Sequence, residues 1–146
     1  MKPLGATLVL ALCLAFVGCG SIYGPVEEVK AFIGEKQDAI MEISKKLEAD
    51  PTEAGVDEAR KAFEARVDRL QAKKRAVREG PQGVLKGDWR QMLTQSDVND
   101  TQLFDLIQQR LLKDCAARNS ASYASCLAAE KKLEALRMDF KREAKR

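Results

Sequence analysis

Two long amphipathic stripes dominate the apolar and polar pattern in the first half of the chain. Apolar residues recur every seven positions in each stripe, and further apolar residues lie between them. The first stripe consists of Val26, Val29, Ile33, Ile40, Ile43 and Leu47; the second consists of Val56, Ala59, Phe63, Val67, Leu70 and Val77. Spacings of three, four and seven place these residues on one helical face, so each stripe predicts a long amphipathic helix.

The segment Asp50-Pro51-Thr52-Glu53 separates the two stripes and predicts a corner. A proline disfavours helical geometry at the residue before it and fits the first turn of a new helix. Asp50 and Glu53 then stand at the N-cap and N3 positions of the second helix, although Gly55 leaves its start open. Two helices of similar length joined by a short corner predict an antiparallel hairpin over residues 26–79.

Lys36 is a polar residue at an apolar position of the first stripe. Its aliphatic stem can lie along the edge of a core while the ammonium group reaches water. A stripe with one such break is more often bundle core than a binding interface. We therefore expect Lys36 at the core edge, with its charge in solvent.

The second half of the chain predicts a second hairpin, over residues 96–146. Gly80-Pro81-Gln82-Gly83 ends the first hairpin and opens a linker over residues 80–95, in which Asp88 could cap a short helix. A third helix is expected to start near Ser96-Asp97. The apolar face of this helix carries Leu103, Phe104, Ile107, Leu111 and Cys115; that of the fourth carries Tyr123, Cys126, Leu133, Leu136 and Phe140. No useful strand-like alternation occurs, so the sequence predicts an all-α fold of three or four long helices, as a bundle or coiled coil.

The first residues have the form of an export signal. Lys2 precedes an apolar run over residues 4–17. This run is too short to cross a bilayer core of about 30 Å, which needs about twenty residues. A short basic start, an apolar stretch and small residues after it predict that residues 1–18 are a cleaved signal peptide.

Phe16-Val17-Gly18-Cys19 resembles the lipobox of bacterial lipoproteins, with Phe16 where leucine is usual. The resemblance implies a diacylglyceryl thioether on the Cys19 sulfur, cleavage before Cys19 and acylation of the new amino group. Residues 19–25 would then form a lipidated tether, and several acyl chains would hold the protein on a membrane. Because Gly20 stands where Asp marks inner-membrane retention in enteric lipoproteins, the resemblance favours the outer membrane, facing the periplasm. The alternative is an ordinary secreted protein in which Cys19 is incidental.

Export predicts how the four cysteines are used. Cys13 leaves with the signal and Cys19 carries lipid, so Cys115 and Cys126 remain in a compartment that favours disulfides. One continuous helix would hold them about 16 Å apart along its axis, whereas a disulfide needs Cα atoms within about 7 Å. A reversal at Asn119-Ser120 would bring them together, and we predict this bridge. The alternatives are two small buried residues or an intermolecular bridge.

The composition disfavours catalysis. The chain contains no histidine, which is the commonest general base and a common metal ligand. Gly80-Pro81-Gln82-Gly83 lacks the Gly-Lys-Ser/Thr ending of a phosphate loop, and no base is spaced to activate Ser120 or its neighbours. We therefore expect no enzymatic activity, no cofactor and no metal.

Two basic runs stand out in a chain of 25 Lys and Arg against 22 Asp and Glu, with a formal net charge of +3. Lys73, Lys74, Arg75 and Arg78 close the second helix; Lys141, Arg142, Lys145 and Arg146 close the chain. Such runs can contact anionic headgroups, lipopolysaccharide or peptidoglycan, at about 1 kcal/mol per charge near a membrane. Cations also offset the macrodipole at helix C-termini, which is the interpretation we favour. Nucleic acid is not an expected partner.

These features predict a membrane-anchored envelope lipoprotein that acts as a helical binding or scaffolding module for a protein partner. Trp89 either plugs the core where the hairpins meet or is an exposed anchor for that partner. The alternative is a structural tether between outer membrane and cell wall. For the tether, the lipidated cysteine, heptad stripe and basic C-terminus resemble Braun's lipoprotein, although this chain ends on Arg146 and not on the attachment lysine.

Overall fold

The computed structural model describes residues 26–79, 88–118 and 123–145. Over these ranges the chain forms four helices: α1 (Val26–Ala49), α2 (Glu53–Glu79), α3 (Asp88–Arg118) and α4 (Tyr123–Ala144). No strand occurs among the described residues. The predicted all-α fold is confirmed.

The corner between α1 and α2 forms where the proline predicts it. The hydroxyl of Thr52 donates to Asp50 Oδ1 (2.7 Å), and the amide of Val56 donates to the Thr52 carbonyl (3.1 Å). A Cβ atom at Gly55 would overlap the Asp50 carbonyl oxygen, so the close approach of these two segments requires glycine here. The position that left the start of α2 uncertain in the sequence is thus a requirement of the corner.

The helices pack as two antiparallel hairpins lying side by side. α1 contacts α2 and α3, and α4 contacts the same two helices. Glu35 of α1 pairs with Arg69 of α2, whereas Glu42, farther along α1, pairs with the earlier Arg66, so these two helices run in opposite directions. Lys36 of α1 pairs with Asp97 of α3, and the later Glu48 pairs with the later Arg110, so α1 and α3 run in parallel. α2 and α4 are parallel to each other in the same way.

One core runs through all four helices. Its buried members come from all four predicted apolar faces: Val29, Ile40, Ile43, Val56, Phe63, Leu70, Phe104, Leu111, Leu133, Leu136 and Phe140 are among them. Phe32 and Leu93, which no predicted stripe included, are also buried. Phe140 of α4 lies between Phe63 of α2 and Phe104 of α3, with ring centroids 5.7 Å and 5.2 Å away. The contact of Phe63 with Phe140 joins the two hairpins, and that of Phe104 with Phe140 joins α3 to α4.

The predicted start of α3 near Ser96-Asp97 is wrong, since the helix already begins at Asp88. No glycine or proline interrupts residues 88–96, and Leu93 is buried in the core. The second half of the expected linker is therefore helical, and residues 80–87 lie outside the described ranges. α3 and α4 are separate antiparallel helices, as the expected reversal requires, and Asn119-Ser120 themselves lie outside the described residues.

Candidate functional site

Lys36 forms a buried ionic cluster with residues of α3. Its side chain is 0% exposed. The ammonium group donates to Asp97 Oδ1 (2.6 Å) and Ser96 Oγ (3.2 Å) and lies 2.6 Å from Asp100 Oδ2. These four residues are called the Lys36 cluster below. The expectation that this charge reaches water is wrong, because α3 extends past Ser96 and covers the position.

The cluster supplies what a buried ammonium group needs. Lysine has three donors, and three oxygens surround it; an unpaired buried charge would instead be strongly destabilising. Asp97 remains partly exposed, whereas Asp100 is buried. Burial raises the pKa of the Asp100 carboxyl, and the hydrogen bond from Lys36 opposes that shift. Among the described residues, Asp100 Oδ1 has no hydrogen-bond partner.

This arrangement suits structural pairing better than proton transfer to a substrate. A general base must come within hydrogen-bond distance of a bound substrate, yet no part of the Lys36 side chain is accessible. The face of the Phe32 ring, whose centroid lies 5.6 Å from the ammonium nitrogen, covers one side. The Lys36 cluster therefore fixes how α1 lies against α3 in register.

A shallow depression lies farther along the same interface, between the end of α1 and α3. Its accessible volume is about 10 Å³, which is room for roughly one water molecule. It is lined by Ser44, Leu47, Glu48, Ile107, Arg110, Leu111 and Asp114. No group of three or more potential metal ligands of the His, Cys, Asp or Glu type lies together in the described part of the chain.

The first basic run divides between structural and exposed residues. The Lys74 ammonium donates to the Glu143 carbonyl (2.9 Å) at the end of α4, so it offsets the macrodipole of a neighbouring helix. Lys73 and Arg75 are exposed, and neither forms an ion pair with another described residue. The side chain of Arg78 lies outside the description.

Trp89 lies in the first turn of α3 and not in a loop. It is partly buried and packs against the core, and the guanidinium of Arg90 lies 5.6 Å from its ring centroid. Part of the ring remains accessible at the same end of the bundle as Lys73 and Arg75. The position therefore combines a core contact with a partly exposed face.

Cys115 and Cys126 are buried and lie at disulfide distance, with Cα atoms 5.8 Å apart. Their separation of 11 residues spans the reversal between α3 and α4, so the pairing is intramolecular. Cys19, the lipobox and the rest of residues 1–25 lie outside the described ranges. Within those ranges no helix is sufficiently long and apolar to cross a membrane.

The sequence contained a signal for the Lys36 cluster that heptad analysis alone misses. Asp97 and Asp100 are three residues apart, which places both carboxylates on one face of a helix. A lysine on a core stripe needs such partners if it is buried. The expected start of the third helix near Ser96-Asp97 placed these residues at a helix end instead, so their pairing with Lys36 was not predicted.

Comparison with known proteins found no matching family, no similar curated protein and no similar solved structure.

Proposed function

We propose that the protein is a lipoprotein of the bacterial cell envelope, anchored through Cys19, whose helical bundle binds or scaffolds an envelope protein partner. One observation carries the proposal: an apolar leader of signal-peptide length ends on Phe16-Val17-Gly18-Cys19. The resemblance of this motif to the lipobox, together with Gly20 after it, supports placement on the outer membrane, facing the periplasm.

A binding role is supported by how the bundle uses its polar groups. The buried polar groups of the Lys36 cluster are committed to helix packing, and the chain has no histidine to act as a base. The depression between α1 and α3 is too small for an organic substrate. What the bundle offers to another molecule is its outer surface.

The outer face of α3 carries apolar side chains suited to a protein partner. Val98 and Leu106 are 46% and 60% exposed. They are eight residues apart, about 12 Å along the axis and on neighbouring parts of the outward side. Met41 and Met138 are also exposed, but they lie singly on α1 and α4. Isolated apolar residues are common on surfaces, so the pair on α3 is the stronger candidate.

The anchor is tested by Cys19→Ala in the full chain. The variant should lose metabolic labelling by fatty acid, should not be cleaved by the lipoprotein-specific peptidase, and should leave the membrane-bound pool of mature protein. Cys13→Ala is the matched control and should be processed normally. Normal processing and membrane retention of Cys19→Ala would show that the lipoprotein assignment is wrong.

The binding role is tested by photo-crosslinking in intact cells. A photoreactive residue at Leu106 should give a discrete crosslinked product, and one at exposed Met138 should not. Detergent extraction separates this role from the tether alternative, because a tether would stay with the peptidoglycan sacculus. Full detergent solubility with a crosslink at position 106 supports binding; sacculus retention without one supports the tether.

A further inference from the structure

We propose that the bundle stands end-on at the membrane and that its basic end binds the anionic headgroups of the bilayer that carries Cys19. The proposal rests on the lipid anchor argued above. It concerns a different property, namely which surface of the bundle faces that bilayer.

The fold brings the two basic runs together. α1 and α3 begin at one end of the bundle, where α2 and α4 finish. The contact between Lys74 and the Glu143 carbonyl places the last turns of α2 and α4 side by side. This is also the end from which α1 leads back toward Cys19. Two runs that are far apart in sequence therefore lie at the end where α1 begins.

This basic end comprises residues 27–33, 71–77, 89–95 and 138–145. Its described side chains include eight basic residues, namely Lys30, Lys73, Lys74, Arg75, Arg90, Lys141, Arg142 and Lys145, against the acidic Glu27, Glu28, Asp139 and Glu143. Within this set Lys30 pairs with Glu27, and Arg142 pairs with Asp139 and Glu143. Eight bases against four acids leave a surplus of four positive charges at this end.

Four exposed basic side chains at this end form no ion pair within the described residues. Lys73, Arg75, Lys141 and Lys145 are exposed, and none forms an ion pair with a described carboxylate. Stabilisation of the helix C-termini accounts for Lys74, which binds a terminal carbonyl. It does not require four further cations at one end.

The opposite end has no such surplus. It comprises residues 43–50, 53–61, 110–117 and 124–132, where most acids are paired: Glu48 and Asp114 with Arg110, Glu53 and Asp57 with Lys132, and Glu58 with Lys61. Positive charge is therefore concentrated at the end where α1 begins. An anionic surface attracts that end more than the opposite one, so it orients the whole body.

The tether is long enough to allow several orientations of the bundle, so surface charge decides which orientation is favoured. Residues 20–25 lie between Cys19 and Val26, and this stretch spans at most about 25 Å. Electrostatic attraction acts within a Debye length of about 8 Å at physiological salt. The tether alone would allow the bundle to stand off or lie flat, whereas the basic end favours contact. Side faces such as that of Val98 and Leu106 then remain open to a partner.

Trp89 provides the test because it is the single tryptophan of the chain and lies at the basic end. The full chain, expressed with its own signal and purified from membranes, is reconstituted in vesicles of phosphatidylcholine, with or without phosphatidylglycerol. Quenching of Trp89 by a lipid spin-labelled near the headgroup is measured. Quenching should be stronger in the anionic vesicles and should fall as salt is added.

The variant Lys73→Glu/Arg75→Glu should reduce this anionic-dependent quenching, because each positive charge near the surface changes binding about fivefold. The matched control is Lys45→Glu/Lys113→Glu, which reverses two exposed charges near helix C-termini at the opposite end and should quench as the wild type does. Equal quenching in neutral and anionic vesicles, or equal loss in both variants, would overturn the proposal. The proposal would also be overturned if Trp89 were not quenched in either kind of vesicle and the protein co-sedimented with isolated sacculi. That result would assign the basic end to the cell wall.

Mass spectrometry of Cys19 separates this proposal from the anchor. If Cys19 carries no lipid, the anchor is wrong, and co-sedimentation of the same protein with anionic vesicles still tests the basic end. If Cys19 is lipidated but Trp89 is not quenched selectively, the anchor stands and the orientation is wrong. Circular dichroism of each variant checks that the bundle is folded.

Discussion

The first hairpin, α1–α2, closes over a corner of three residues, whereas the second, α3–α4, carries a cysteine pair at disulfide distance beside its reversal. In the first, Gly55 permits the close approach at the corner, and Arg66 links Glu35 and Glu42 across the two helices. These contacts are all noncovalent. The second hairpin can add a covalent link that restricts its unfolded state.

This difference shows how two hairpins of similar architecture can reach stability by separate routes. The first depends on a long stripe in each helix and on ion pairs between them. The second concentrates its constraint at one end, beside buried Cys115 and Cys126. A change at the corner should therefore act on α1–α2, and reduction should act on α3–α4.

The two interfaces that join the hairpins differ as well. α1 meets α3 through the buried Lys36 cluster, whereas α2 meets α4 through the contact of Phe63 with Phe140 and through partly exposed ion pairs, such as Lys132 with Asp57. An aromatic contact and partly exposed ion pairs tolerate small shifts. A buried ammonium group with fixed carboxylate partners does not, so we expect the Lys36 cluster to dictate the register between hairpins.

The largest effect is expected at this cluster. Lys36→Met removes the cation and leaves Asp100 buried without its partner, which should lower the free energy of unfolding by about 3–5 kcal/mol. Urea denaturation at neutral pH measures the change. If the ammonium lay in water, the same substitution would fill the core and raise stability.

The double variant Lys36→Met/Asp100→Leu is the matched test. Replacing a buried ion pair by apolar residues of similar volume is often neutral or stabilising, so the second change should restore most of the loss. A double variant no more stable than Lys36→Met would show that the two residues are not coupled.

The next effect concerns the second hairpin. Cys115→Ser/Cys126→Ser should lower the free energy of unfolding by about 3 kcal/mol, because the unfolded chain regains the freedom of the closed loop. Alkylation of the native protein should modify neither cysteine before reduction and both afterwards. Two reactive thiols in protein freshly isolated without reductant would show that the pair is not bridged.

The corner of the first hairpin should show a smaller effect. Gly55→Ala places a methyl group against the Asp50 carbonyl and should cost about 1–3 kcal/mol through backbone displacement. Gly34 lies within α1 with open space around its Cβ position, so Gly34→Ala should instead stabilise by about 0.5–1 kcal/mol. Thermal unfolding of both variants tests the pair. Equal shifts in the two would mean that the corner does not require glycine.

The sequence predicts the first hairpin better than the second for a physical reason. Heptad spacing and a proline corner are local signals, and most described members of both stripes are buried as expected, with Ile33 and Val67 partly buried. The cysteine pair could be predicted because its geometry requires a reversal. The start of α3 could not be predicted in the same way, because Ser and Asp are residues that often begin a helix. Their role inside α3 is clear only from their hydrogen bonds with Lys36.

The way in which the two hairpins pack against each other cannot be predicted from the local spacing of apolar residues. Nothing in the spacing of the stripes states that α1 lies parallel to α3, and burial of Lys36 depends on that choice. The meeting of Lys74 with the end of α4 likewise depends on packing between distant segments. The basic end is visible only once the order of the four helices is known.

The smallest predicted effect tests whether ion pairs across α1 and α2 contribute to closing the first hairpin. The hydrogen bond from Arg66 lowers the pKa of the Glu42 carboxyl below its ordinary value. A carboxyl whose folded pKa is lowered stabilises the fold above its unfolded pKa, and this contribution is lost as pH falls through the folded pKa. Because Glu42 is partly exposed, solvent screening should limit the contribution to less than about 1 kcal/mol.

Glu42→Gln should therefore be slightly less stable than the wild type at neutral pH, and the difference should vanish in acid. Glu64→Gln, an exposed change on α2, controls for the loss of a surface carboxylate. A Glu42→Gln deficit that persists unchanged in acid would assign the effect to lost packing and not to the ion pair between Glu42 and Arg66.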